Sequence, residues 1–174
     1  MRRFWAHLQV CLLMAGMLLT ACAAGRIRDG AYLNEAKGFA VRLPSEAWEV
    51  EMGKEPDLQL RHRGRRAGIV VNATCGEIPP GRPLEIASRH LFFGIHGKDI
   101  LRQELRMNGS REAVEVVLRG SLEGQELLLH GFSVKGTGCV YDLVLFAPPQ
   151  QYAEADQEFG AMVRHFQLLG AEKP

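Results

Sequence analysis

The sequence predicts an α+β domain: a mostly antiparallel sheet with a helix on each face. Three observations carry this. Short runs of alternating apolar residues succeed one another through glycine-centred turns, as hairpins do. Two other segments place apolar residues at helical spacing. One late run, Cys139–Ala147, is apolar at odd and even positions alike, so it belongs mid-sheet with both sides covered.

The elements follow in chain order. Phe39, Val41 and Leu43 alternate on one face until Pro44 ends the strand. Trp48, Val50 and Met52 alternate again, and Leu58, Leu60 and His62 form a third short strand. The stretch Arg61 to Arg66 is a hairpin turn around Gly64, followed by an apolar strand, Ala67–Thr74. Ile78–Pro83 holds three prolines and a glycine and reads as a loop. Leu84, Ala87, Leu91 and Ile95 predict a helix, ended by Gly94 and Gly97. Strands are expected at Ile100–Met107, Glu112–Arg119 and Glu126–Val134, joined through Asn108-Gly109 and Glu123-Gly124. The central strand Cys139–Ala147 stops at Pro148-Pro149. A last helix is predicted over Gln151–Leu168, with Tyr152, Phe159, Met162, Val163 and Phe166 as its apolar stripe.

The amino terminus reads as an export signal. Arg2 and Arg3 precede an apolar stretch densest from Val10 to Leu19. That stretch is shorter than the roughly 20 residues a membrane span needs and fits a signal-peptide core of about 7 to 15. Leu19-Thr20-Ala21-Cys22 then resembles the bacterial lipobox. The resemblance implies cleavage before Cys22 and acylation of that cysteine, an anchor that holds stably once two or three chains are attached. Ala23 after the cysteine points to the outer membrane, facing the periplasm, rather than the inner one. The expected organisation is a signal peptide at 1–21, a lipidated tether at 22–37 and one domain at 38–170.

The chain carries 21 Lys+Arg and 20 Asp+Glu. This balance excludes general nucleic-acid binding, which needs a strongly basic surface. Of four cysteines, Cys11 leaves with the signal and Cys22 takes lipid. Cys75 and Cys139 remain. They form either one disulfide, which an oxidising compartment favours, or two buried thiols. Neither lies in a C-x-x-C pair, so zinc or redox chemistry is not indicated.

Phe39-Ala40-Val41-Arg42-Leu43-Pro44 followed by Trp48 resembles the opening of the PsbP-like α/β/α sandwich. The close is similar too: an apolar strand, then a helix ending Phe159-Gly160-Ala161-Met162-Val163-Arg164-His165-Phe166, with His165 where that superfamily usually has serine. The resemblance covers roughly residues 38–168. It implies a domain that binds or helps assemble other proteins, without a catalytic residue to carry over.

The six histidines form no H-E-x-x-H and no i, i+4 pair, so no metal site is expected. No G-x-S-x-G or phosphate-binding glycine loop is present, and no cofactor is expected. Two features remain as ligand or partner contacts. Asp142 interrupts an apolar strand beside Tyr141 and needs a partner if that strand is central; it is either a ligand-contacting acid in a groove, or half of a structural pair with an arginine, or placed near the exposed start of the strand. Arg61, Arg63, Arg65 and Arg66 either meet anionic lipid or an acidic partner, or form a solvated hairpin tip. The expected function is a non-enzymatic, membrane-anchored envelope lipoprotein with an envelope protein partner. The alternatives are a carrier or sensor of a small apolar or lipid ligand, and an unannounced hydrolase.

Overall fold

The structure, a computed structural model, describes residues 25–51, 55–76, 83–84 and 89–170. The export signal, Cys22, Met52 and most of the proline-rich loop lie outside these residues. The described chain forms an α+β fold of two antiparallel sheets and one α-helix. The strands are β1 (Arg26–Arg28), β2 (Ala31–Asn34), β3 (Phe39–Arg42), β4 (Trp48–Glu51), β5 (Leu58–His62) and β6 (Gly68–Cys75), then β7 (His96–Asn108), β8 (Arg111–Leu122), β9 (Gln125–Lys135), β10 (Cys139–Ala147) and β11 (Gln167–Leu168). The helix, α1, spans Pro149–Arg164. The large sheet runs β4-β5-β6-β10-β9-β8-β7 and the small one β1-β2-β3-β11.

The central place expected for Cys139–Ala147 is where β10 lies. Its odd-numbered residues, among them Tyr141, Leu143 and Leu145, face a core shared with Phe39, Ile69, Phe159 and Met162. Val140, Val144 and Phe146 pack on the opposite face, beside Val114, Val116, Leu118 and Leu129. Two-residue turns drive the hairpins. Glu123 and Gly124 both take positive φ, as a type I′ turn requires, and Gly109 alone does so between β7 and β8. Cys75 and Cys139 are direct cross-strand partners at the end of the β6–β10 ladder and form a disulfide.

Three expectations are corrected. The tether at 22–37 is structured from Arg26 onward, so the domain begins before Gly38. β2 buries Tyr32 and Asn34, and its inward alternation is disguised because one inward residue is polar. Asn34 donates to the Asp57 carboxylate (3.4 Å) and accepts the Lys37 backbone N–H (3.0 Å). The last helix starts at Pro149, where a missing N–H costs nothing, and ends at Arg164 rather than Leu168. Gln167 and Leu168 instead pair with Ala40 and Phe39, which closes the small sheet. Of the helix expected over Leu84–Ile95, residues 85–88 lie outside the described set, and Arg89–Phe92 is a 3-10 turn. Leu84 is itself helical, and buried Leu84 and Phe92 cover the second face.

Candidate functional site

The arginine cluster lies at the β5–β6 hairpin. His62 accepts the Gly64 N–H at Nδ1 (3.0 Å) and packs edge-on against Trp48, which shapes the turn. Three of the four arginines are neutralised within the chain. Arg61 bonds Glu51 (2.9 Å) and Glu49 (3.1 Å), and Arg63 bonds Glu49 (2.9 Å). Arg65 reaches α1, pairing with Glu158 (2.9 Å) and Glu154 (2.8 Å). Burial pushes the Glu158 carboxyl up, but the Trp48 indole N–H and Arg65 outweigh it and leave the group below its usual range. Arg66 differs: its guanidinium donates to the Gln125 side-chain oxygen (3.3 Å), and among the described residues it has no carboxylate.

Arg66 stands on the rim of an open groove of about 650 Å³ between this hairpin and the β8–β9 turn. Phe146, Leu127, Leu122 and Pro148 give the groove apolar walls, and Gln125 and Gln151 add polar points. Gly68 is directly opposite Phe146, where a Cβ would overlap the aromatic ring. The groove's charged lining is mixed, since Arg66 and Glu123 both lack an ion-pair partner among the described residues, and the apolar walls suit an apolar or amphiphilic ligand.

Tyr141 and Asp142 do not join this groove, nor each other. Strand alternation puts them on opposite faces of β10. Tyr141 donates its hydroxyl to the Lys37 carbonyl (2.8 Å) and packs against Phe39 and Phe166. Burial raises its pKa, which keeps the hydroxyl protonated as a donor. Asp142 pairs with no arginine among the described residues. Its partner is Ser133, whose hydroxyl donates to it at 2.6 Å. Burial pushes the Asp142 carboxyl from 3.8 up to about 6, and the Ser133 hydrogen bond pulls it only partly back. The folded state therefore binds this proton more tightly than the unfolded chain. Its contribution to stability is complete below about pH 4 and is lost as pH rises through about 6. Asp142→Asn keeps an acceptor for Ser133. It is expected to stabilise the fold by about 2–3 kcal/mol near neutral pH and to change little near pH 4, read by urea denaturation at both.

One polar cluster was missed by sequence reasoning. His130, only 4% exposed, lies on β9 between two carboxylates. Its Nδ1 is 2.6 Å from Asp156 on α1 and its Nε2 is 2.7 Å from Glu115 on β8. Glu115 in turn holds Arg106 and, at 3.6 Å, Arg102, both from β7. Burial raises the Asp156 carboxyl, but the hydrogen bond and charge of His130 outweigh it and hold the group below its usual range. The Tyr152 hydroxyl is buried beside Asp156 without a well-formed hydrogen bond. Glu115 and His130 occupy inward positions on adjacent strands, the one signal available in advance. The cluster ties α1, β9, β8 and β7 together and brings no nucleophile to the histidine. Among the described residues no group of His, Cys, Asp and Glu is arranged to hold a metal. No described helix is long and apolar enough to cross a membrane.

No protein-family model matches the chain. Solved structures do. Cyanobacterial PsbP (CyanoP) from Synechocystis sp. PCC 6803 superposes with a TM-score of 0.59 at 13% identity, over 86% of this chain and 95% of that one. LpqN of Mycobacterium tuberculosis gives 0.57 at 16% identity, over 76% and 85%. Among curated proteins, histidinol-phosphate aminotransferase of Sodalis glossinidius is 30% identical over 108 residues, 61% of this chain. The chain spans only 29% of that enzyme's length. The structural likenesses show that the chain has the PsbP-like fold, as its opening and closing motifs imply.

Proposed function

We propose that this protein is a non-enzymatic lipoprotein, anchored through Cys22 and serving as a binding or assembly factor for an envelope protein complex. The observation that carries this reading is the fold. It is shared with PsbP and with LpqN, a protein involved in cell envelope biogenesis. The Cys75–Cys139 disulfide supports export, since such bonds persist in oxidising compartments. Only Ala23, Ala24 and Gly25 separate Cys22 from β1. Fully extended, the four steps from Cys22 to Arg26 reach about 14 Å, so the small sheet lies close to the anchoring membrane. The apolar walls of the groove beside Arg66 favour a second reading, carriage of a small apolar or lipid ligand. Aminotransferase activity is not proposed, because a match to 29% of an enzyme does not bring its active site.

Labelling cells with palmitate tests the anchor. The wild-type chain is expected to carry label and sediment with membranes of outer-membrane density. Cys22→Ala is expected to lose the label and move to the soluble fraction, and a Cys22→Ala chain that stays membrane-bound overturns the anchor. Cross-linking and purification of the tagged chain then tests its role: a stoichiometric envelope protein supports the assembly reading, and co-purifying lipid alone supports the carrier.

A further inference from the structure

β7 ends the large sheet and spans 13 residues, His96–Asn108, nearly all exposed. Among the described residues nothing pairs with its outer edge. Free edges invite further strands, and proteins usually blunt them with prolines, bulges or charge. β7 has no proline, and its register shifts lie between His96 and Arg102; the regular stretch Arg102–Asn108 carries charge of both signs, at Arg102, Glu104 and Arg106. Leu105 and Met107 on this regular stretch are each 64% exposed.

We propose that this edge pairs with the same edge of a second copy, antiparallel, about a two-fold axis at Leu105. The sequence is self-complementary in that register. Leu105 meets Leu105 of the second copy, and Gln103 lies across from Met107. Glu104, which pairs with Arg106 of its own chain at 2.9 Å, lies across from Arg106 of the second copy, so the symmetry brings two such pairs together at the seam. The pairing falls wholly within the regular stretch, and residues opposite each other share a face, as the pleat requires. Such an isologous contact closes on itself and yields one 14-stranded sheet rather than a fibre. The axis stands normal to the sheet and carries each face onto itself. Both copies therefore keep α1 and the small sheet on one side, so two Cys22 anchors reach one membrane. That last point rests on the proposed anchor; the pairing does not.

The seam is short, so the full chain is tested in the cells that make it. A cysteine at residue 105 lies on the axis, within about 6 Å of its copy, whereas one at residue 100 is about 34 Å from its own. A short bismaleimide is expected to give Leu105→Cys a band at twice the chain mass that wild type and Ile100→Cys lack. Adding Glu104→Arg sets arginine across from arginine at both pairs, and the band is expected to fall about tenfold. Arg106 is left unchanged, because it also bonds Glu115. Glu104 is half-exposed and its bonds are to Arg102 and Arg106 of its own strand, so retention of the Cys75–Cys139 bond is checked in its variant. Monomer alone, a band unmoved by the charge variant, or a cross-link to a different protein overturns the self-pairing.

Discussion

Loss of the Cys75–Cys139 bond, by reduction or by the double variant Cys75→Ala/Cys139→Ala, is expected to lower the unfolding free energy by about 4 kcal/mol. The two cysteines are 64 residues apart, and the segment between them contains β7, β8 and β9. Linking them removes from the unfolded chain the many conformations in which this loop is open, and the entropy saved grows with the logarithm of its length. The bond is at the end of an eight-residue ladder between β6 and β10. The native strands thus already hold the sulfurs together, and little folded structure should change. For a domain whose total stability is commonly about 5–15 kcal/mol, such a loss is large. Urea titration of oxidised and reduced protein measures it. A change below about 1 kcal/mol would mean that the unfolded chain keeps the loop closed without the bond.

Most of the fold was legible because its core strands alternate cleanly. Phe39 and Val41, Leu58 and Leu60, and the doubly apolar run of β10 announce their faces through side-chain period alone. β1 and β2 were not legible, because Asn34 points inward and Ile27 outward, against the usual sorting. Gln167 and Leu168 continue the helical pattern in sequence, yet become a strand because β3 offers a free edge, a fact of tertiary structure. The candidate site was less visible still. The arginine cluster stood out as a run of charge, but Glu154 and Glu158, which neutralise Arg65, come from a helix some ninety residues later. What remains for a ligand is Arg66 and an apolar groove assembled from the β5–β6 hairpin, the β8–β9 turn and the end of β10. No local pattern records such a meeting.

His130→Leu is expected to destabilise the fold by about 3 kcal/mol near neutral pH, because Glu115 and Asp156 each lose the ring nitrogen they bond, at about 1–3 kcal/mol for a buried group left unpaired. Leucine leaves Glu115 and Asp156 facing each other across an apolar side chain, with the bonds at 2.7 and 2.6 Å gone. The pH dependence carries the diagnosis. Asp156 is held below its ordinary range in the folded wild type, so it favours folding above the unfolded carboxylate pKa, and that favour is lost as pH falls through its folded value. The gap between wild type and variant should therefore be widest at neutral pH and narrow in acid, where the carboxylates are neutral. A lost packing contact against Phe159 alone would give a gap indifferent to pH. Tyr152→Phe supplies the contrast: its hydroxyl is buried without a hydrogen bond, so its removal should cost under about 1 kcal/mol. Glu115 also holds Arg102 and Arg106, so the loss of His130 reaches β7 as well as α1. Faster amide exchange along β7 in the His130 variant, with β6 and β10 unchanged, would show that the cluster fixes the sheet's free edge as well as the helix.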